Sequence, residues 1–254
     1  MFVKICGCTS QRDAELAVAA GADAVGFILA ASPRQVTPAF VAEVVAALPP
    51  ETVTIGVFRD ERPEVVVETV RACRLTGAQL HGGESPSATR YVRERVGLVI
   101  KAFAAESPEL ERSGEHRADV LLLEGAQPGS GKVFDWALCE RVPPGARMLL
   151  AGGLRPSNVA EAIATVRPWG VDVATGVESE PGRKDPGKVR AFVAAARLAA
   201  PPAWRAAGRK PFDWEDALAD PPSATHGAGE PGRTGDGVSE PGRAGVDAGQ
   251  RGLS

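Results

Sequence analysis

No run of apolar residues in this 254-residue chain approaches the ~18 needed to cross a bilayer, and its start, Met1-Phe2-Val3-Lys4, lacks a secretory signal pattern. Membrane association is not expected. A basic excess is also missing: 29 Lys and Arg face 32 Asp and Glu, for a net charge of −3, which gives no case for a nucleic-acid surface. Only four cysteines occur (Cys6, Cys8, Cys73, Cys139), none in a Cys-x-x-Cys pair, and two fall in segments with helical spacing. A reducing, cytoplasmic setting is the expectation, with no metal site.

What is present is a barrel pattern. The chain is long enough for one barrel of about 200 residues plus an extension, and 44% hydrophobic residues support a large core. Eight short apolar runs, each closing on a polar residue or glycine, predict strands at 2–6, 24–29, 53–58, 77–81, 98–103, 119–124, 147–151 and 170–175. Runs such as Val53-Thr54-Ile55-Gly56-Val57-Phe58 are β-branched without alternation, as suits strands buried on both faces of a parallel sheet. Helical spacing fills the gaps. Thr9 is placed to cap a helix from about Gln11 that Gly21 stops, and Pro38 and Pro63 stand where first-turn prolines belong. The predicted fold class is α/β, a single-domain (β/α)8 TIM barrel over residues 1–200.

Residues 201–254 read as a low-complexity tail. Positions 221–254 hold 9 Gly and 4 Pro and no Phe, Trp or Tyr, too little apolar surface to offset the entropy of ordering, so disorder is expected there. Glu-Pro-Gly-Arg occurs at 230–233 and again at 240–243. Nearer the barrel, Pro211-Phe212-Asp213-Trp214 is expected to dock a short helix capped by Asp213.

Function in such a barrel belongs to the residues that end the strands. Same-parity positions share a face, which would send Lys4 and Cys6, Gln79 and His81, Lys101, Glu124 and Asp172 toward the interior. Several ionisable groups at one mouth are costly unless they pair or work. Cys6, at a strand end before a glycine, is a candidate base or nucleophile, against the plainer reading of a small buried hydrophobe. Glu124 closes Val120-Leu121-Leu122-Leu123 and is a candidate acid, the alternative being an ion pair with Lys101. Ala151-Gly152-Gly153 and Thr175-Gly176-Val177 follow the last two strands, where barrels frequently bind phosphate through backbone N–H groups. Arg34 offers a fork suited to a carboxylate. Pro128-Gly129-Ser130-Gly131-Lys132 lacks Walker spacing and reads as a mobile lid.

Several ordered blocks together resemble phosphoribosylanthranilate isomerase. They are Lys4-Ile5-Cys6-Gly7, Gly21-Ala22-Asp23-Ala24-Val25-Gly26-Phe27, Gln79-Leu80-His81-Gly82, Gly129-Ser130-Gly131-Lys132 with Phe134-Asp135-Trp136, Gly152-Gly153-Leu154-Arg155-Pro156 with Asn158-Val159, and Val171-Asp172-Val173 with Gly176-Val177-Glu178. The blocks run from residue 3 to about 192, the whole of the expected barrel. The resemblance implies a cofactor-free Amadori rearrangement in tryptophan biosynthesis that turns N-(5-phosphoribosyl)anthranilate into 1-(2-carboxyphenylamino)-1-deoxyribulose 5-phosphate. An acid opens the furanose ring to a Schiff base, and a base then removes the C2′ proton.

By the resemblance Cys6 is the base and Glu124 the acid. Arg34, His81 and Asp172 bind substrate, and Gly152, Gly153, Gly176 and Val177 hold its phosphate. The partner implied is a phosphorylated small molecule, the oligomeric state a monomer with a homodimer as the alternative. Two departures stand out. The family carries aspartate where this chain has Glu124, and usually an aliphatic residue at Cys8. Glu124 leaves room for a paralogue acting on a related phosphoribosyl-amine, and a non-catalytic barrel that binds a phosphorylated ligand is a further alternative. The histidine-pathway isomerase has aspartate in place of Cys6 and is discounted.

Overall fold

The computed structural model describes residues 1–126 and 133–201. The chain divides into two units, Met1–Ala219 and Asp220–Ser254; the lid expected at 128–132, the helix expected at 211–214 and the whole second unit lie outside the described residues.

Eight parallel strands close into a barrel: β1 (Phe2–Cys6), β2 (Ala24–Ile28), β3 (Val53–Phe58), β4 (Gly77–Leu80), β5 (Leu98–Ala104), β6 (Val120–Glu124), β7 (Met148–Leu150) and β8 (Gly170–Val173). β1 pairs with both β2 and β8, setting Cys6 opposite Gly26 and Lys4 opposite Asp172. Two apolar layers follow from the alternation of side chains. Phe2, Ala24, Val53, Ile55, Leu98, Ile100, Leu122 and Leu149 fill the inside, with Trp169 stacked on Phe2 to close the lower end. Val3, Val25, Phe27, Val99, Leu123 and Val171 belong to the outer layer, which packs under the helices.

The helices are α1 (Gln11–Ala19), α2 (Pro38–Ala47), α3 (Pro63–Ala72), α4 (Pro86–Arg93), α5 (Val159–Val166) and α6 (Pro186–Ala199). Prolines open α2, α3, α4 and α6, where their missing N–H costs nothing. Two expectations need correction. The cap of α1 is Ser10, whose hydroxyl accepts from the Asp13 N–H, because Thr9 is turned away to donate to the Gly182 carbonyl. Among the described residues, the segments after β5 and β6 form 3-10 turns, Pro108–His116 and Trp136–Arg141, rather than α-helices. The first contains Gly114 and ends on Arg117 in the left-handed region, so it does not lengthen.

No helix among the described residues is long and apolar enough to cross a membrane. A short hairpin, β9 (Glu178–Glu180) with β10 (Arg183–Lys184), follows β8 and brings Glu178 and Lys184 under the barrel mouth.

Candidate active site

The carboxyl ends of the strands enclose a cavity of about 430 Å³, within the range of small-molecule sites. Cys6, Arg34, Gln79, His81, Glu124 and Asp172 all line it, together with apolar Ile28, Pro33 and Val57. Strand parity delivers most of these. Cys6 is the third inward residue of β1, Glu124 the third of β6, and His81 follows Gln79 off the end of β4.

Lys101 does not join them. The interior positions of β5 are Ile100 and Ala102, so Lys101 faces the other way and meets Glu84 at 3.1 Å, the Gly82 carbonyl at 2.7 Å and the face of Phe103. Glu124 is therefore not its partner. Instead His81 Nε2 lies 2.5 Å from Glu124 Oε1, while His81 Nδ1 is 2.8 Å from the Gln79 amide nitrogen. With that amide orientation Nδ1 accepts from Gln79 and the Nε2–H points at the Glu124 carboxyl. Gln79 Oε1 is then left buried without a partner.

Cys6 is 5% exposed, and burial pushes its thiol above the ordinary value. The Lys4 ammonium beside it works in the opposite direction. Cys8, with no opening to the cavity, is pushed up to about 12 by burial, which leaves it an inert thiol at neutral pH.

Arg34 is held from behind by an ion pair. The fork expected to receive a ligand carboxylate is already closed on Glu178, with Nε at 2.7 Å from Oε1 and an Nη at 2.7 Å from Oε2. Lys184 adds a third cationic contact to Glu178 at 3.0 Å. Burial alone would raise the Glu178 carboxyl, but Arg34 and Lys184 hold it below the usual range. Arg34 thus reaches the cavity as a wall fixed from behind. Glu178 and Lys184 were not picked out as site residues in the sequence. A lone glutamate after Gly176-Val177 carries no periodic signal, and its partner Arg34 is 144 positions away.

The glycine turns stand on the same rim, yet outside the lining of the cavity. Gly152 and Gly153 have φ of 80° and 68°, a left-handed turn closed over Asn158, which donates to the Gly153 carbonyl and accepts from the Arg155 N–H. Gly176 lies against that turn, and a Cβ there would land on the Leu154 carbonyl oxygen. The Thr175-Gly176-Val177 and Gly152-Gly153 loops are therefore pressed together backbone to backbone. Val177 itself is fully buried, so only its main chain could meet a ligand. Gly176→Ala is expected to force the loops apart, lowering stability by roughly 1–3 kcal/mol, as overpacking does. Calorimetry should register a drop of several degrees in Tm, and an unchanged Tm would mean the loops part easily.

Among the described residues no group of three or more His, Cys, Asp or Glu is placed to hold a metal ion.

Comparison with known proteins gives consistent findings. The family model described as N-(5'-phosphoribosyl)anthranilate isomerase matches residues 3–195. An N-(5'-phosphoribosyl)anthranilate isomerase of Desulforudis audaxviator is 48% identical over 205 residues, covering 78% of this chain and 98% of the relative. The crystal structure of phosphoribosyl anthranilate isomerase from Thermus thermophilus superposes with a TM-score of 0.73 at 42% identity, over 78% of this chain and 99% of that one. A second solved isomerase, in complex with reduced 1-(o-carboxyphenylamino)-1-deoxyribulose 5-phosphate, gives 0.69 at 37% identity over 78% and 99%.

Proposed function

Because the chain belongs to the N-(5'-phosphoribosyl)anthranilate isomerase family, we propose that Cys6 and Glu124 divide the proton transfers of its reaction between them. It catalyses the Amadori rearrangement of N-(5'-phosphoribosyl)anthranilate to 1-(2-carboxyphenylamino)-1-deoxyribulose 5-phosphate, a step of tryptophan biosynthesis. The observation that supports the division is the cavity itself, which Cys6 and Glu124 both line, from β1 and β6.

Glu124 gives its proton to the furanose ring oxygen. The C1′–O bond breaks with its electron pair going to that oxygen, and the anthranilate nitrogen forms the Schiff base. The Cys6 thiolate then takes the C2′ proton, and the C–H electrons become the double bond of the enolamine, which tautomerises to the ketone. Each carrier must begin in the right state: Glu124 protonated, Cys6 ionised. His81, 2.5 Å from Glu124, holds the acid in place at the mouth.

The phosphate is read as held on main-chain N–H groups of Gly152, Gly153, Gly176 and Val177. Positive φ at the first two supports this, since side chains are absent where an anion must come close. Arg34 and Asp172 face the remainder of the substrate. The assay is turnover of freshly made phosphoribosylanthranilate, followed as loss of its fluorescence.

Arg34 is where this reading is tested by substrate chemistry. A lysine cannot reproduce a planar guanidinium fixed from behind by Glu178, so Arg34→Lys loses the group offered to the anthranilate carboxylate. An increase of about ten-fold or more in KM is expected, in line with loss of a charge-assisted pair. A substrate lacking the anthranilate carboxylate should respond much less. Equal sensitivity of the two substrates would assign Arg34 to shaping the cavity through Glu178 rather than to carboxylate recognition.

A further inference from the structure

We propose that Lys4 is a positioning residue for the reaction, its ammonium anchored by Asp172 and set beside Cys6 to favour the thiolate. The inference rests on the reading of Cys6 as the base. Lys4 is 0% exposed and sits inside the barrel one inward position below Cys6. Its Nζ donates to Asp172 Oδ1 at 2.9 Å, across the β1–β8 pairing that sets the two residues opposite each other. Asp172 accepts one ammonium N–H, and the Cys6 sulfur lies beside the same ammonium.

Room for this arrangement comes from Gly26 on β2. A Cβ there would lie 2.8 Å from Cys6 Sγ and 3.2 Å from Lys4 Cε, so both side chains converge on the space that the missing side chain leaves. Stability does not explain the pair. Burying an ammonium and a carboxylate costs several kcal/mol per ion before their attraction is counted, and apolar replacements of similar volume are often neutral or better. The layer beneath is otherwise Phe2, Ala24, Leu98, Leu122 and Leu149, where a methionine would fit the pattern. A charge kept in that setting has another use.

The balance of fields gives the use. The groups that act on the Cys6 sulfur are Lys4 on its own strand, Asp172 on β8, Lys184 on β10, Arg34 after β2 and Cys8 just beyond. His81 and Glu124 face it across the cavity. Burial and Asp172 disfavour the thiolate; Lys4 and Lys184 favour it, Lys4 most. Lys4 in turn stays charged in spite of burial, because Asp172 and Cys6 hold it above the ordinary lysine range. Without Lys4, Cys6 would face desolvation and Asp172 with less to offset them.

The test uses the full chain and two variants, Lys4→Met and Lys4→Gln, the second retaining a hydrogen-bond donor to Asp172 should the first fail to fold. Two readouts are taken: the pH dependence of Cys6 alkylation by iodoacetamide, followed on the Cys6 peptide by mass spectrometry, and the pH profile of kcat/KM. The alkylation midpoint should rise by about one pH unit or more, and kcat/KM at pH 7 should fall by about ten-fold, one unit being a factor of ten in thiolate. The acidic limb of kcat/KM should move with the midpoint. An unchanged midpoint in a folded variant overturns the proposal, whatever happens to the rate. A shifted midpoint with an unshifted kcat/KM profile would instead overturn Cys6 as the base, while leaving the Lys4–Cys6 coupling in place.

Discussion

Cys6→Ser should leave the barrel folded and reduce kcat by about 10²-fold or more, the usual contribution of a positioned acid or base. The substitution keeps the shape of the side chain in a position only 5% exposed, so Tm should change little. A serine hydroxyl, however, is not ionised near neutral pH and cannot accept the C2′ proton. The pH profile sharpens the result. Burial raises the Cys6 thiol above its ordinary value, so kcat/KM of the parent chain should still be climbing above pH 7. Below that range the thiol is protonated and idle; above it the thiolate is available, which sets the sign. In Cys6→Ser this climb should vanish. Residual kcat above about a tenth of the parent value would put the base elsewhere, since such a loss falls short of what a positioned base contributes.

Glu124→Gln is expected to have an effect of comparable size, at the other proton transfer. The amide keeps the size of the side chain and its contact with His81, yet has no proton acidic enough to give the ring oxygen. Loss of ring opening of about 10²-fold or more is expected in single-turnover measurements. Glu124→Asp probes placement rather than chemistry. Here the barrel mouth is built around the longer acid: His81 Nε2 meets Glu124 Oε1 at 2.5 Å, and Gly152 leaves its Cβ space to the Glu124 main chain and Cβ. Shortening the side chain withdraws the carboxyl by about 1 Å, a displacement that can cost up to ~10²-fold. Activity of Glu124→Asp should therefore fall, with the fluorescence assay as the measure. Full activity of Glu124→Gln would remove the acid assignment and turn attention to Asp172.

Most of the architecture could be read from residue order because the signals are local. Unbroken β-branched runs such as Val53–Phe58 mark strands buried on both faces, and the proline at the head of α2 or α3 marks its first turn. Parity along β1, β4, β6 and β8 brought Cys6, His81, Glu124 and Asp172 to one mouth, as the alternation requires. The same rule failed at Lys101. The register of β5 is set by which residues fill the barrel, and Ile100 and Ala102 take those places. Local propensity also misled at Thr9, a good cap by type, because the hydroxyl found Gly182 from the far end of the chain while Ser10 closed the helix.

Strand number, strand order and the thiol and carboxyl brought to the mouth are thus properties of the residue order, since period and strand ends are written into neighbouring positions. The partners of the charged groups are not. Arg34 with Glu178 spans 144 positions, Lys4 with Asp172 spans 168, and His81 meets Glu124 only once β4 and β6 curve into one wall. Barrel closure decides these pairings, because it brings β8 beside β1 and sets opposite charges from distant positions against each other where burial leaves them no water.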